Sequence, residues 1–181
     1  MDGKRMSHNE LLERVLILRC QLRDNDALAE LFGRYDRPLR YFISRLMADR
    51  ERADELFQDT WLTVIRKIHA LKKPETFGTW LYRIARNKVY QELRDRKQFT
   101  ELNEEFTASD GAEDEIALSD DVAKLHRCLE RLRPQHREVL MLRFLEQMSY
   151  QEMAEVLDCN PGTVRSRIHF AKLSLKEEME R

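Results

Sequence analysis

The apolar residues of this chain are spaced as in helices almost throughout. They return every three or four positions, for example in residues 11–22 and 53–68, and no strand-like alternation stands out. Glycine and proline, which interrupt helices, number only 5 and 4 in 181 residues. The pattern therefore predicts an all-α protein.

The N-terminal half is predicted to hold several consecutive helices. Residues 11–22 form one, and residues 26–47 form one or two more. An interruption is expected near Pro38, because proline has no N–H to donate and crowds the preceding turn. The next two helices are expected to begin after Asp49, a suitable N-cap, and at Thr76.

The composition changes sharply between residues 98 and 121. This segment carries nine acidic residues and no lysine or arginine. Like charges repel and apolar residues are few here, so a compact fold is not expected. We therefore predict two small helical domains, residues 1–97 and 122–181, joined by a flexible acidic linker over residues 98–121.

The most specific local pattern lies near the C-terminus. Ser149 and Glu152 fit a capping box, in which each side chain satisfies a free backbone N–H of the other. A few residues further on, Asn160 and Pro161 suit the N-cap and first position of a second helix. Two helices joined by so short a turn form a helix-turn-helix.

The second of these helices has an apolar face and a positive, polar face. Residues 161–176 include four basic residues and no acidic one, and a helix of this kind fits the major groove of DNA. An ordinary hairpin with a solvated charged face is the alternative, but capping, turn length and charge asymmetry all agree with DNA binding. The residues predicted to contact DNA are Thr163, Arg165, Ser166, Arg167, His169, Phe170 and Lys172.

A second basic region lies in the N-terminal half. Residues 66–97 carry ten basic and three acidic residues, an excess of seven positive charges. On the helix after Thr76, Arg83, Asn87 and Tyr90 share one face, and a positive face bearing an aromatic ring suits single-stranded DNA. Trp80 lies at the margin of this face, where core packing is favoured over base stacking.

The preceding helix begins with an acidic, polar patch. Asp54, Glu55, Gln58 and Asp59 lie near its N-terminus, where the helix dipole favours negative charge in any case. A purely structural role and a protein-docking surface therefore remain open for this patch.

Several classes of function are not expected from the composition. No apolar run approaches the roughly 20 residues that span a bilayer, and no signal peptide is recognisable, so we expect a cytoplasmic protein without membrane insertion. The three cysteines are widely spaced and suggest neither disulfides nor a metal site. No nucleophile with clustered catalytic groups is evident, so we expect neither an enzyme nor a cofactor.

Three segments together resemble the sigma-70 family, specifically its small extracytoplasmic-function group. Residues 53–61 (ADELFQDTW) resemble the family's helix for docking on the polymerase clamp, and residues 77–87 (FGTWLYRIARN) are close to its −10 signature. Residues 149–167 are similar to its −35 helix-turn-helix. The resemblance covers nearly the whole chain, from about Leu11, in the family's order.

The resemblance implies a non-enzymatic sigma factor that binds core RNA polymerase and directs promoter-specific initiation. It would read the −35 duplex and the melted −10 strand, associate with the nucleoid when bound to polymerase, and usually have an anti-sigma partner. It implies that polymerase is met by Asp54, Gln58, Asp59 and Trp61. The −10 strand would be held by Lys72, Lys73, Phe77, Thr79, Trp80, Arg83, Arg86, Asn87, Tyr90 and Arg94.

The chain departs from the family pattern at two places. Asn25-Asp26 stands where relatives often have Gly-Asp. His169-Phe170 stands where they often have an aromatic residue followed by a basic one, which affects the expected −35 preference.

Two other functions explain less of the sequence. A helix-turn-helix regulator that binds duplex DNA without docking on polymerase explains the C-terminal domain equally well. It leaves the basic, aromatic face of the N-terminal domain unexplained. An enzyme acting on DNA, such as a recombinase, would need a catalytic constellation that the sequence does not show.

Overall fold

The computed structural model describes residues 8–102 and 120–181, with side chains for residues 8–96 and 124–181. The regular secondary structure of these residues is all helical, which confirms the predicted all-α class. The helices are α1 (His8–Gln21), α2 (Asn25–Leu46), α3 (Arg50–Lys67), α4 (Phe77–Leu102), α5 (Asp120–Arg131), α6 (Pro134–Leu140), α7 (Tyr150–Leu157) and α8 (Pro161–Glu180).

Helix α2 runs without a break through Pro38, so the predicted interruption is wrong. A proline inside a helix costs about 3 kcal/mol through its lost hydrogen bond and its clash with the preceding turn. The same helix fully buries Leu31, Leu39 and Ile43, and each such side chain contributes about 1.5–3 kcal/mol. Core burial therefore outweighs the local cost of the proline.

Helices α1 to α4 form the N-terminal domain. The side chain of Asp49 accepts a hydrogen bond from the Arg52 N–H at 3.0 Å, as expected for the N-cap of α3. Phe42, Phe57 and Leu81 fill the core between α2, α3 and α4. Helix α4 is therefore held firmly along one side, with its other side available for contacts.

Helix α4 begins one residue after Thr76, which itself ends a short 3₁₀ turn. It continues to Leu102, beyond the predicted end of the N-terminal domain at residue 97. Of the predicted linker, residues 98–102 thus belong to α4, residues 120 and 121 belong to α5, and residues 103–119 lie outside the described part of the chain.

Helices α5 to α8 form the C-terminal domain. Val139, Met153, Val164 and Ile168 are buried where α6, α7 and α8 meet. After α6 the chain passes through one π-helical turn, Met141–Leu145, before the helix-turn-helix begins. The predicted apolar stripe of α8 is thus the side that faces its own domain.

The two domains also pack directly on each other. Helix α4 of the N-terminal domain contacts α7, and α2 contacts α6. The buried apolar residues form one continuous cluster that includes both domains. This arrangement brings the basic face of α4 close to the C-terminal domain.

Among the residues that the structure describes, no helix combines the length and the apolar character that crossing a membrane requires. The same residues contain no group of three or more histidine, cysteine, aspartate or glutamate side chains positioned to hold a metal ion.

Candidate functional site

An apolar depression lies between α2 and α3 on the surface of the N-terminal domain. It has a volume of about 310 Å³ and an apolar floor and walls. Phe32, Leu62 and Ile65 are 38%, 47% and 49% exposed there, and they lie together as one exposed apolar patch. The full lining is Phe32, Arg40, Phe57, Gln58, Trp61, Leu62 and Ile65.

The predicted docking residues lie in and around this depression. Gln58 lines it and is exposed, whereas Trp61 lines it but is only 4% exposed. The carboxylate of Asp54 accepts a hydrogen bond from Arg40 at 2.8 Å, and that of Asp59 lies 3.9 Å from Lys88. The depression therefore has an apolar centre and a charged, polar rim.

The residues predicted to bind the −10 strand fall into an exposed group and a packed group. Arg83, Asn87 and Arg94 are exposed, as are Lys72 and Lys73 in the turn before the helix. These five side chains are accessible to a nucleic-acid strand, and Arg94 also donates a hydrogen bond to Gln91 at 2.9 Å.

Three other residues predicted on the −10 face belong to the packed side of α4. Phe77 is fully buried and Thr79 is 6% exposed. Trp80 is half-buried, with its ring 6.0 Å from that of Phe77. In this conformation Phe77 and Thr79 contribute to the core and do not reach the exposed face.

Arg86 and Tyr90 of α4 contact the C-terminal domain. The Nε of Arg86 donates to the carboxylate of Glu138 at 2.8 Å, and the hydroxyl of Tyr90 donates to the same carboxylate at 3.1 Å. The Arg86 guanidinium also lies 4.5 Å from the centre of the Tyr90 ring. Glu138 itself has no exposed surface.

The electrostatics of this cluster follow from its burial. Burial raises the pKa of Glu138, and Arg86, the Tyr90 hydroxyl and Arg167 oppose that rise. Burial and the nearby Glu138 charge raise the pKa of Tyr90 to about 12, so the phenol keeps its proton and can donate it to the carboxylate.

The helix-turn-helix is capped as the sequence predicts. Ser149 and Glu152 form the complete capping box at the start of α7. The side chain of Asn160 accepts from the Thr163 N–H at 2.8 Å, and Pro161 occupies the first turn of α8. A Cβ at Gly162 would lie 3.1 Å from the capping oxygen of Asn160, which accounts for the glycine.

The exposed side of α8 carries most of the residues predicted to contact the −35 duplex. Arg165, Ser166, His169, Phe170 and Lys172 are exposed. The guanidinium of Arg165 lies 5.8 Å from the centre of the Tyr150 ring, near the outer limit of a cation–π attraction. Together these residues form a polar, positive ridge on the outer side of the motif.

Two predicted −35 residues have other local roles. The Thr163 hydroxyl lies 3.2 Å from the capping oxygen of Asn160 and donates to it. Arg167 is half-buried, and its charge acts on Glu138 and Tyr90. Both residues therefore interact with other groups of the protein.

Sequence reasoning missed the contributions of Phe32, Leu62, Ile65 and Glu138. The first three have the helical spacing of core residues, so nothing local marks them as exposed. Glu138 stands directly before an apolar run, Val139 to Leu142. An acidic residue next to positions expected to be buried is the feature of the sequence that indicates a buried charge here.

Comparisons with known proteins agree on one family. The model of sigma-70 region 2 matches residues 31–99, and the model of sigma-70 region 4 matches residues 123–175. The first range covers the depression and the basic face of α4, and the second covers the helix-turn-helix.

Curated relatives match over nearly their whole length. The RNA polymerase sigma factor YlaC of Bacillus subtilis is 32% identical over 164 residues, which are 87% of this chain and 95% of that protein. The ECF RNA polymerase sigma-E factor of Escherichia coli K12 is 30% identical over 184 residues, covering 94% and 96%.

Solved structures share the fold. The sigma factor RpoE of Bartonella quintana, in complex with the anti-sigma factor NepR, is 25% identical with a TM-score of 0.76 and covers 84% of this chain and 96% of its own. CnrH, in complex with the cytosolic domain of CnrY, is 24% identical with a TM-score of 0.67, covering 93% and 97%.

Proposed function

This chain belongs to the extracytoplasmic-function group of the sigma-70 family, and from that we propose a role for each of its surfaces. Members of this group bind core RNA polymerase and direct initiation at specific promoters, and this is the function of the chain. This function is supported by the combination, in one chain, of a capped helix-turn-helix and a separate basic helix face.

The depression between α2 and α3 is the docking site for core polymerase. Phe32, Leu62 and Ile65 expose apolar surface in this depression. Covering that surface with a partner removes it from water, which favours binding. Gln58 and Asp59 on the rim are exposed and give the contact its orientation. We assign this docking to the N-terminal domain, residues 1–97, and −35 recognition to residues 122–181.

The exposed face of α4 holds the melted −10 strand. Arg83, Arg94 and the lysines before the helix neutralise phosphates, and such contacts are strong but indifferent to sequence. Asn87 can donate and accept hydrogen bonds at once, which suits the edge of an unpaired base. Affinity and sequence preference are thus carried by different side chains of the same face.

The separate roles of Arg83 and Asn87 give a testable prediction for the polymerase holoenzyme. Arg83→Ala should weaken binding to a random-sequence single-stranded DNA pool and lower the slope of log affinity against log salt by about 0.7, the value for one lost phosphate contact on a single strand. Asn87→Ala should change the base composition of the recovered DNA, with a smaller loss of total affinity. Fluorescence anisotropy measures the affinity, and sequencing of the bound fraction measures the preference.

Arg131→Ala is the matched control, because Arg131 is an exposed arginine of α5, outside the α4 face. It should change neither quantity. Equal base composition for wild type and Asn87→Ala, or an unchanged salt slope for Arg83→Ala, would remove the respective residue from the −10 site.

We further propose that the chain is non-enzymatic, acts in the cytoplasm and on the nucleoid, and is regulated by an anti-sigma protein. The last point is supported by the related RpoE, whose structure contains the anti-sigma factor NepR. A regulator that only binds duplex DNA would have no use for the apolar depression, so failure to bind core polymerase would favour that alternative.

A further inference from the structure

One residue on the exposed side of α8 is a large apolar one. Phe170 is 57% exposed and lies on the same side of the helix as the exposed Ser166 and His169. The opposite side of α8 is buried in the domain through residues such as Val164 and Ile168. More than half of the surface of Phe170 is therefore available to a partner.

The positive side chains of α8 lie on a different flank from Phe170. At about 3.6 residues per turn, Ser166 and Leu173 mark the line of the helix that is farthest from the core. Arg165 and Lys172 lie on one flank of that line, and Phe170 lies on the other. A helix placed in a major groove with its basic flank towards one phosphate backbone would therefore turn Phe170 towards the base edges.

The ring of His169 lies next to the ring of Phe170. The two ring centres are 5.4 Å apart and the ring planes are inclined by 69°, which is the edge-to-face arrangement that aromatic pairs prefer. Both residues are exposed, so this pair forms a piece of aromatic surface on the outside of the motif. One side of the Phe170 ring can then contact a base while its edge is supported by the neighbouring ring.

A phenylalanine side chain can recognise only one feature of the major groove. It has no hydrogen-bond donor or acceptor, so it cannot pair with a phosphate or with the polar edges of guanine, cytosine and adenine. Placed against those edges, it would remove their water without replacing the lost hydrogen bonds. The C5-methyl group of thymine is the one apolar group among the base edges of this groove. Contact between the ring and this methyl group removes apolar surface of both from water.

We propose that Phe170 reads a thymine in the −35 element, through contact between its ring and the C5-methyl group of that base. This role rests on the proposed −35 recognition by the helix-turn-helix and adds the identity of one base to it. Arg165 lies on the opposite flank of α8, so the two residues affect different base positions. The preferred −35 duplex of this chain thus contains one T·A pair whose identity depends on the ring of Phe170.

Selection from a duplex library locates this thymine. The holoenzyme, formed from core polymerase and the full chain, is incubated with random duplex DNA, and the bound fraction is sequenced. Thymine should be enriched at one −35 position with the wild type, and Phe170→Ala should abolish the enrichment at that position alone. Phe170→Leu keeps an apolar side chain and should retain the preference for thymine.

Replacing that thymine by deoxyuridine tests the contact at the level of one methyl group. The A·U pair keeps every hydrogen-bond donor and acceptor of the A·T pair and lacks only the C5-methyl group. The affinity of the wild-type holoenzyme for the duplex, measured by competition, should fall about fourfold, the factor expected when one buried methyl group is removed. The Phe170→Ala holoenzyme should bind both duplexes equally, because the ring that contacts the methyl group is gone.

Met179→Ala is the matched control, since Met179 is a 43% exposed apolar residue near the C-terminal end of the same helix. It should retain both the preference for thymine and the fourfold discrimination against deoxyuridine. Circular dichroism verifies that each variant keeps its helix content, and titration with labelled core polymerase verifies that each forms the holoenzyme.

The outcomes distinguish the role of Phe170 from that of the whole motif. If a −35 sequence is enriched but Phe170→Ala changes none of its positions, or if the wild type binds the thymine and deoxyuridine duplexes equally, the role of Phe170 is overturned and −35 recognition stands. Weaker binding of Phe170→Ala to core polymerase with an unchanged preference for thymine assigns the ring to a polymerase contact and overturns it as well. Absence of any enriched −35 sequence with the wild type overturns −35 recognition and the role of Phe170 together.

Discussion

Replacing Leu62 and Ile65 together by aspartate is expected to reduce the affinity for core RNA polymerase by about 100-fold or more. Each side chain is about half exposed in the free chain. Covering that exposed half in the complex contributes about 1 kcal/mol to the free energy of binding. An aspartate in an apolar contact adds a desolvation cost of similar or larger size. The sum for both positions is about 4 kcal/mol or more, which corresponds to more than two orders of magnitude in the dissociation constant.

The folded state should tolerate this change because both side chains already face solvent. Helix content from circular dichroism and the melting temperature of the double variant should match those of the wild type. Met179→Asp is the control, as Met179 is a 43% exposed apolar residue near the end of α8. Undiminished binding by the double variant would remove the depression as the docking site.

Arg165→Ala is expected to cost about 1–3 kcal/mol in binding of the holoenzyme to its preferred −35 duplex, through loss of a contact with a base edge. Arg165 is exposed on α8, where it can reach a base edge in the major groove. The loss should be concentrated at one or two base positions. Binding to a duplex library followed by sequencing measures it.

Lys176→Ala is the control for the loss of positive charge on the same helix, since its side chain is 72% exposed near the C-terminal end. It should weaken binding slightly and evenly across sequences. If Arg165→Ala has the same even effect, Arg165 contacts phosphate and does not specify sequence.

Local chemistry is what made the C-terminal motif predictable. The capping box of Ser149 and Glu152 and the N-cap of Asn160 depend on residues three positions apart, and such interactions are contained in a short stretch of sequence. The continuity of α2 was not predictable in this way, because the cost of Pro38 is local whereas the burial that outweighs it depends on the whole domain.

The partners of the α4 face were beyond sequence reasoning for a related reason. Glu138 lies 52 positions from Arg86 and 48 from Tyr90, and periodicity places all three on helices without saying which helices meet. The apolar depression likewise forms only when Phe32 of α2 approaches Leu62 and Ile65 of α3. Phe32, Leu62 and Ile65 are therefore exposed although they are spaced like core residues, and Glu138 is buried although it is charged.

Transcription in vitro shows whether this chain directs core polymerase to specific promoters. Core polymerase from the same organism is given genomic DNA with or without this chain, and the 5′ ends of the RNA are sequenced. New start sites that share one −35 and one −10 sequence should appear only with the chain present, and they should weaken with Leu62→Asp/Ile65→Asp. Start sites that are the same with and without the chain, while the chain still binds duplex DNA alone, would rule out the function of a sigma factor.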